Sequence, residues 1–157
     1  MSINASMRLK TYLSIGGSMA NLNFTMSELI HSDTAIKHNI NNMPDINSLD
    51  CMLNLIVYCL QPVRELLKKP IIISSGYRNA LVNHLVGGAV DKYGNAISQH
   101  CRGQAADFVV NGMTVQQIID VIKKSNIEYD QLINEYDKWV HISFVRGKNR
   151  KSSFKIG

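Results

Sequence analysis

The stretch Ser98-Gln99-His100-Cys101-Arg102-Gly103-Gln104-Ala105-Ala106-Asp107 sets a histidine and a carboxylate on either side of a glycine, and a second histidine, His141, follows on a separate segment. Two imidazoles and one carboxylate suit a zinc ion. Three protein donors leave a fourth position for water, which is the pattern of a catalytic zinc site rather than a structural one. Such an ion acidifies its water and polarises a carbonyl oxygen. Gly103 permits a tight return from a loop carrying His100 to a strand presenting Asp107, and the small Ala105 and Ala106 let the backbone come close to an ion. A His-Glu-x-x-His helix is lacking, which excludes the common zincin arrangement. Taken alone, the spacing fits equally an Asp107 that caps a turn and a His100 on the surface.

His141 lies in Val140-His141-Ile142-Ser143-Phe144. Strand alternation puts Val140, Ile142 and Phe144 on one face, and His141 and Ser143 on the other. A lone histidine on a strand is more often structural than a ligand, so His141 gains interest only through its company. The remaining pattern must supply that company. Thr25-Met26-Ser27-Glu28 reads as a capping box that opens a helix to about His38. From about Ser48 to Lys69 apolar residues recur at helical spacing, with Pro62 expected to kink or loosen the helix. Pro70 to Ser74 reads as a buried strand, Asn79 to Val86 as a short helix, and Ala105 to Val110 as a second strand. Thr114 to Lys124 reads as a helix. Tyr129 to Glu135 and Val140 to Val145 read as two strands of a hairpin. Helices followed by strands, with a hairpin near the end, predict an α+β fold: a partly antiparallel central sheet with helices on one face and the zinc site on the other.

Composition sets the limits. The chain of 157 residues is 45% hydrophobic and 18% charged, which suits one domain with a core of its own. Its formal charge is +5, with much of the excess in Arg146, Lys148, Arg150, Lys151 and Lys155. That points either to an ordinary basic surface or to attraction toward a polyanion such as an acidic cell wall. No aromatic ladder accompanies these cations, so nucleic-acid binding is not expected. Three cysteines, Cys51, Cys59 and Cys101, give no disulfide framework. The longest apolar run, Leu55 to Leu60, is too short to span a bilayer, and the start of the sequence lacks a secretory signal pattern. Synthesis in the cytoplasm is therefore expected. His31, His38 and His84 have no partner pattern and read as surface or helix-end residues.

Ser98-x-His100-x-x-Gly103-x-Ala105-x-Asp107, a strand ending in Glu135, and Trp139-x-His141-x-Ser143 together resemble the zinc D-alanyl-D-alanine carboxypeptidases and their relatives. These include the vancomycin-resistance dipeptidase, the phage L-alanyl-D-glutamate endolysins and the Hedgehog signalling domain. The segments Phe24 to Leu29, Ser32 to Ala35 and Ser74 to Asn79 extend the resemblance, which is nearest to the short phage and bacterial peptidases of this group. It covers roughly residues 24 to 145. The resemblance implies a Hedgehog and DD-peptidase-like fold and a domain over 24–157, while residues 1–23, mixed and weakly patterned, read as an arm of uncertain structure. It also implies that His100, Asp107 and His141 bind Zn2+, and that Arg78 binds a substrate carboxylate or carbonyl. A guanidinium fork suits that task. Ser98 is expected to contact substrate or support its loop, and Tyr77 to line the cleft or pack.

A general base must take a proton from the attacking water and return it to the leaving amine. In the dipeptidase and some endolysins the acid stands three residues before the last histidine, a place held here by Lys138. In Hedgehog and the short peptidases a glutamate stands six before it, matching Glu135. Glu135 shares a face with His141 if the hairpin loop has three or five residues, whereas a two-residue turn at Asp137-Lys138 puts them on opposite faces. Pairing Ile133 with Ile142 would favour the shorter turn. Asp137 reads chiefly as a turn residue and remains the other candidate acid. The expected activity is zinc-dependent hydrolysis of peptidoglycan stem peptides, as carboxypeptidase or endolysin-type endopeptidase, by a monomer acting either on the cell wall after phage-type release or on its precursors in the cytoplasm. The alternative is a zinc-containing cell-wall or protein-binding module without hydrolysis.

Overall fold

The computed structural model describes residues 22–157; the arm expected over residues 1–23 lies outside them except for Leu22 and Asn23. The architecture is α+β, with a mixed five-stranded sheet. The strands are β1 (Ile72–Ser75), β2 (Ala105–Val109), β3 (Gln131–Glu135), β4 (Trp139–Ser143) and β5 (Ser152–Ile156), in spatial order β1-β2-β4-β3-β5. β1, β2, β4 and β3 pair antiparallel in turn, and β5 joins β3 in parallel.

Alternation divides this sheet into two chemistries. Ala106 and Phe108 of β2, Leu132 of β3, and Val140 and Ile142 of β4 are buried in one core cluster. Against them pack the long helix α3 (Ile46–Leu67) and α5 (Val115–Lys123), the latter opened by a Thr114–Gln117 capping box. Met52, Leu55, Ile56, Cys59, Leu60 and Val63 form the inner stripe of α3, at the three- and four-residue spacing of an amphipathic helix. By length and composition α3 alone among the described residues could cross a bilayer, with a mean hydropathy of 1.2. Half of that window is buried in the fold, which makes α3 the central core helix.

Pro62 acts on α3 as its chemistry requires. It has no N–H to donate, and its ring would meet the carbonyl of Tyr58 one turn earlier. The helix widens into a π-turn over Ile56–Leu60 just ahead of it and resumes at Gln61. The expected loosening is thus a single wide turn.

Three elements differ from the sequence reading. The helix expected from Thr25 to His38 is two short ones, α1 (Met26–Ile30) and α2 (Asp33–Lys37), because the Ser32 side chain accepts the Ala35 N–H and starts a new helix. The strand at Pro70 to Ser74 is an edge rather than a buried strand: Ile71 is covered, while Ile72 is 45% exposed. β5 has no counterpart in the expected elements. The basic C-terminal residues are largely paired within the fold, Arg150 with Asp130, Lys151 with Glu128 and Lys155 with Asp137. The short helix α4 (Ala80–Leu85), capped by Asn79, agrees with expectation.

Candidate active site

Three segments bring the candidate residues together. His100 sits in a 3-10 turn, Gln99–Arg102, which Ser98 opens by accepting the His100 N–H at 3.3 Å. Gly103 closes the turn in a left-handed conformation, φ 69, and a side chain there would strike the Ser48 backbone oxygen of α3. That double constraint makes glycine the residue that fits. Asp107 and His141 stand directly opposite each other on β2 and β4. All three side chains are buried.

The donor atoms converge. His141 Nδ1 lies 2.9 Å from Asp107 Oδ1, His100 Nε2 lies 3.3 Å from the same oxygen, and the two ring nitrogens are 3.3 Å apart. Donors about 2.0–2.2 Å from a tetrahedral ion stand about 3.3 Å from one another, so this triangle is close to one face of a zinc tetrahedron. On its outer side His100 is fixed by its Nδ1–H, which donates to the Gly76 carbonyl at 2.7 Å. A carbonyl only accepts, so Nδ1 carries a proton and Nε2 is the nitrogen that faces the triangle. Such backing of a ligating imidazole is the usual support of metal sites. Gly76 must itself be glycine, since a Cβ would collide with the Leu29 backbone. Burial opposes the Asp107 charge, but the two imidazoles outweigh it and hold the carboxyl well below the usual carboxylate range. A permanent anion between two imidazoles is a donor set for a divalent cation.

The hairpin register answers the question that sequence left open. Ile133 pairs with His141 and Glu135 with Trp139, so the loop is the three residues Tyr136 to Lys138. Glu135 therefore lies on the His141 face, with Oε1 3.9 Å from His141 Nδ1. Its other oxygen accepts from Trp139 Nε1 at 2.8 Å. Asp137 points elsewhere: it bonds Asn134 and Lys155, and is the turn residue.

A cleft of about 1140 Å³ opens over these groups and is lined by Arg78, Ser98, His100, Asp107, Glu135 and His141, among others. A second hollow, about 740 Å³ beside Tyr58, Pro62 and Phe144 on the helix side, holds none of them. Arg78 Nη1 approaches Ser75 Oγ at 3.4 Å, and its buried Nε has no partner among the described residues. Tyr77, expected to line the cleft or pack, is 6% exposed within the hydrophobic core and is not among the cleft residues. His31, His38 and His84 are exposed at helix ends, and the three cysteines are free.

The profile of the peptidase M15 family matches residues 22–143. The chain belongs to the peptidase M15 family. No curated protein matches the sequence. M15 members are zinc-dependent metallopeptidases, so the substrate is a peptide, and this M15 chain has in His100, Asp107 and His141 a group able to hold the metal. The match starts at Leu22, two residues before the expected boundary, and Asn23 is tied to Gln61 of α3 through its N–H.

Three supports in this M15 site were not read from sequence. Asn42, in the loop before α3, is buried; it donates to the Ile30 and Tyr77 carbonyls and accepts from the Asn79 N–H, which fixes the turn bearing Arg78. Asp130 accepts a two-pronged bond from the Arg150 guanidinium, another from the Arg150 N–H, and one from Gln99, the neighbour of His100. Trp139 holds Glu135. Asn42 stood in a stretch read only as a loop, and Asp130 in one read only as a strand.

Proposed function

We propose that this metallopeptidase hydrolyses peptidoglycan stem peptides, as a D-alanyl-D-alanine carboxypeptidase or an endolysin-type endopeptidase, on the Hedgehog-like scaffold implied by its motifs. Residues 24–157 form its catalytic domain, and His100, Asp107 and His141 hold Zn2+. When bound, zinc supplies a Lewis acid that polarises the scissile carbonyl and acidifies a water molecule. Glu135 then takes the water's proton at Oε1 and returns it to the departing amine. Arg78 receives a carboxylate or carbonyl of the substrate on its guanidinium. Ser98 supports the His100 turn, and Tyr77 supports Arg78 from the core.

The observation that carries this reading is the placement of one unshared Glu135 oxygen 3.9 Å from a corner of the donor triangle. A carboxylate there is within reach of a water that the triangle would share. The enzyme acts at the cell wall or on its precursors, where a basic protein meets an anionic polymer.

Digestion of purified sacculi, followed by mass spectrometry of the fragments, tests the proposal and names the bond. Freed amines should appear with zinc, cease with a chelator and return when zinc is restored. Sacculi left intact by fully zinc-loaded protein would turn the reading toward a binding module.

A further inference from the structure

We infer that Trp139 is a positioning residue whose indole N–H aims the Glu135 carboxylate at the metal-binding side chains. The inference rests on the assignment of Glu135 as the general base.

Trp139 and Glu135 are direct partners across the β3–β4 hairpin, on the face that carries His141. Trp139 Nε1–H donates to Glu135 Oε2 at 2.8 Å, while Oε1 stands 3.9 Å from His141 Nδ1. One oxygen is thus fastened and the other directed. A glutamate with three free torsions would spread over several rotamers. Among the described residues the indole is the one hydrogen-bond donor to this carboxylate. A neutral donor orients the group without setting another cation beside the zinc ligands.

The donor is itself held. Tyr136 lies against the indole with ring centroids 6.0 Å apart and planes at 59°. Tyr136 and Asp137 both adopt left-handed backbone, φ 59 and 55, which costs energy in residues other than glycine. Neighbours hold that turn in place: the Asp137 N–H and carboxylate bond Asn134, Lys155 pairs with Asp137, and the Tyr136 N–H donates to the Ile156 carbonyl of β5 at 2.8 Å. Residues of β5, beyond the stretch matched by the family, therefore help to fix the ring that fixes the base.

Trp139 is the only tryptophan in the chain, which allows a clean test. Production in a tryptophan auxotroph fed β-(3-benzothienyl)alanine replaces the indole N–H by sulfur and keeps the ring shape; Trp139→Phe gives a second variant. With purified sacculi as substrate, zinc stoichiometry and apparent KM should match the parent protein, and kcat should fall roughly tenfold or more, the worth of one hydrogen bond to a charged group. An unchanged kcat in both overturns the inference. So does a loss of zinc or a rise in KM that accounts for the whole decline. Glu135→Gln separates the two proposals: surviving hydrolysis removes the general-base assignment, whereas an inactive Glu135→Gln beside fully active Trp139 variants removes only the positioning role. A spectroscopic readout leaves Trp139 in place and needs no turnover. In 15N-labelled protein the single indole N–H resonance should move in Glu135→Ala, and an unmoved resonance overturns the inference.

Discussion

β2 and β4 have two faces, and these differ more than any two distant parts of the molecule. On one, Ala106, Phe108, Val140 and Ile142 are sealed under α3 and α5. On the other, Asp107 and His141 stand side by side, with Trp139 and Glu135 beyond them. Neighbouring residues do opposite work, because the strand turns each side chain away from the last. Stability and chemistry are therefore interleaved along the same strands, and each should yield to a different substitution.

The largest effect belongs to the polar face. Glu135→Gln should lower amine release from sacculi by about 10²–10⁴-fold, while zinc content and thermal midpoint stay at parent values. On the apolar face Phe108→Ala should do the reverse. It should cost about 3–5 kcal/mol in denaturant unfolding, and protein kept folded at low temperature should still take up zinc. Gly103→Ala should break the separation, since Gly103 joins α3 to the His100 turn. A left-handed backbone and a collision with Ser48 predict a loss of about 1–3 kcal/mol together with weaker zinc affinity, measured by competition with a chelating dye.

The smallest effect concerns pH. Hydrogen bonds from Arg150, opposed by burial and joined by Gln99, lower the Asp130 carboxyl to about 2. The contribution of a lowered carboxyl is present above its unfolded value near 3.9 and disappears as pH falls through about 2. Asp130→Asn should flatten that acid limb of stability, followed by unfolding between those limits, and leave the neutral region without a slope of its own.

Legibility followed the same division. His100, Asp107 and His141 could be named as a set through the family resemblance, since their spacing alone fitted a turn cap and a surface histidine equally well, while alternation turned His141 away from Val140 and Ile142. The hairpin register could not be read. Ile133 opposite Ile142 looked like a good apolar pair, yet Leu132 takes that place, because Tyr136 and Asp137 accept left-handed backbone that Asn134 and Lys155 hold from outside the turn. The break between α1 and α2 had a local signal, the cap at Ser32, hidden inside an otherwise helical pattern. β5 had almost none: it buries little, carries a lysine, and exists through backbone pairing with β3. Charged, exposed edges guard a sheet against joining others, and that same composition conceals the strand.

The bond from His100 to the Gly76 carbonyl has a consequence for how an ion arrives. Its proton cannot migrate to the inner nitrogen without abandoning that oxygen, so one corner of the trap is set in advance. His141 is different: its Nδ1 rests against Asp107, and a neutral imidazole frees that nitrogen by carrying its proton on Nε2 instead. Capture should therefore begin at the first ring and finish at the second.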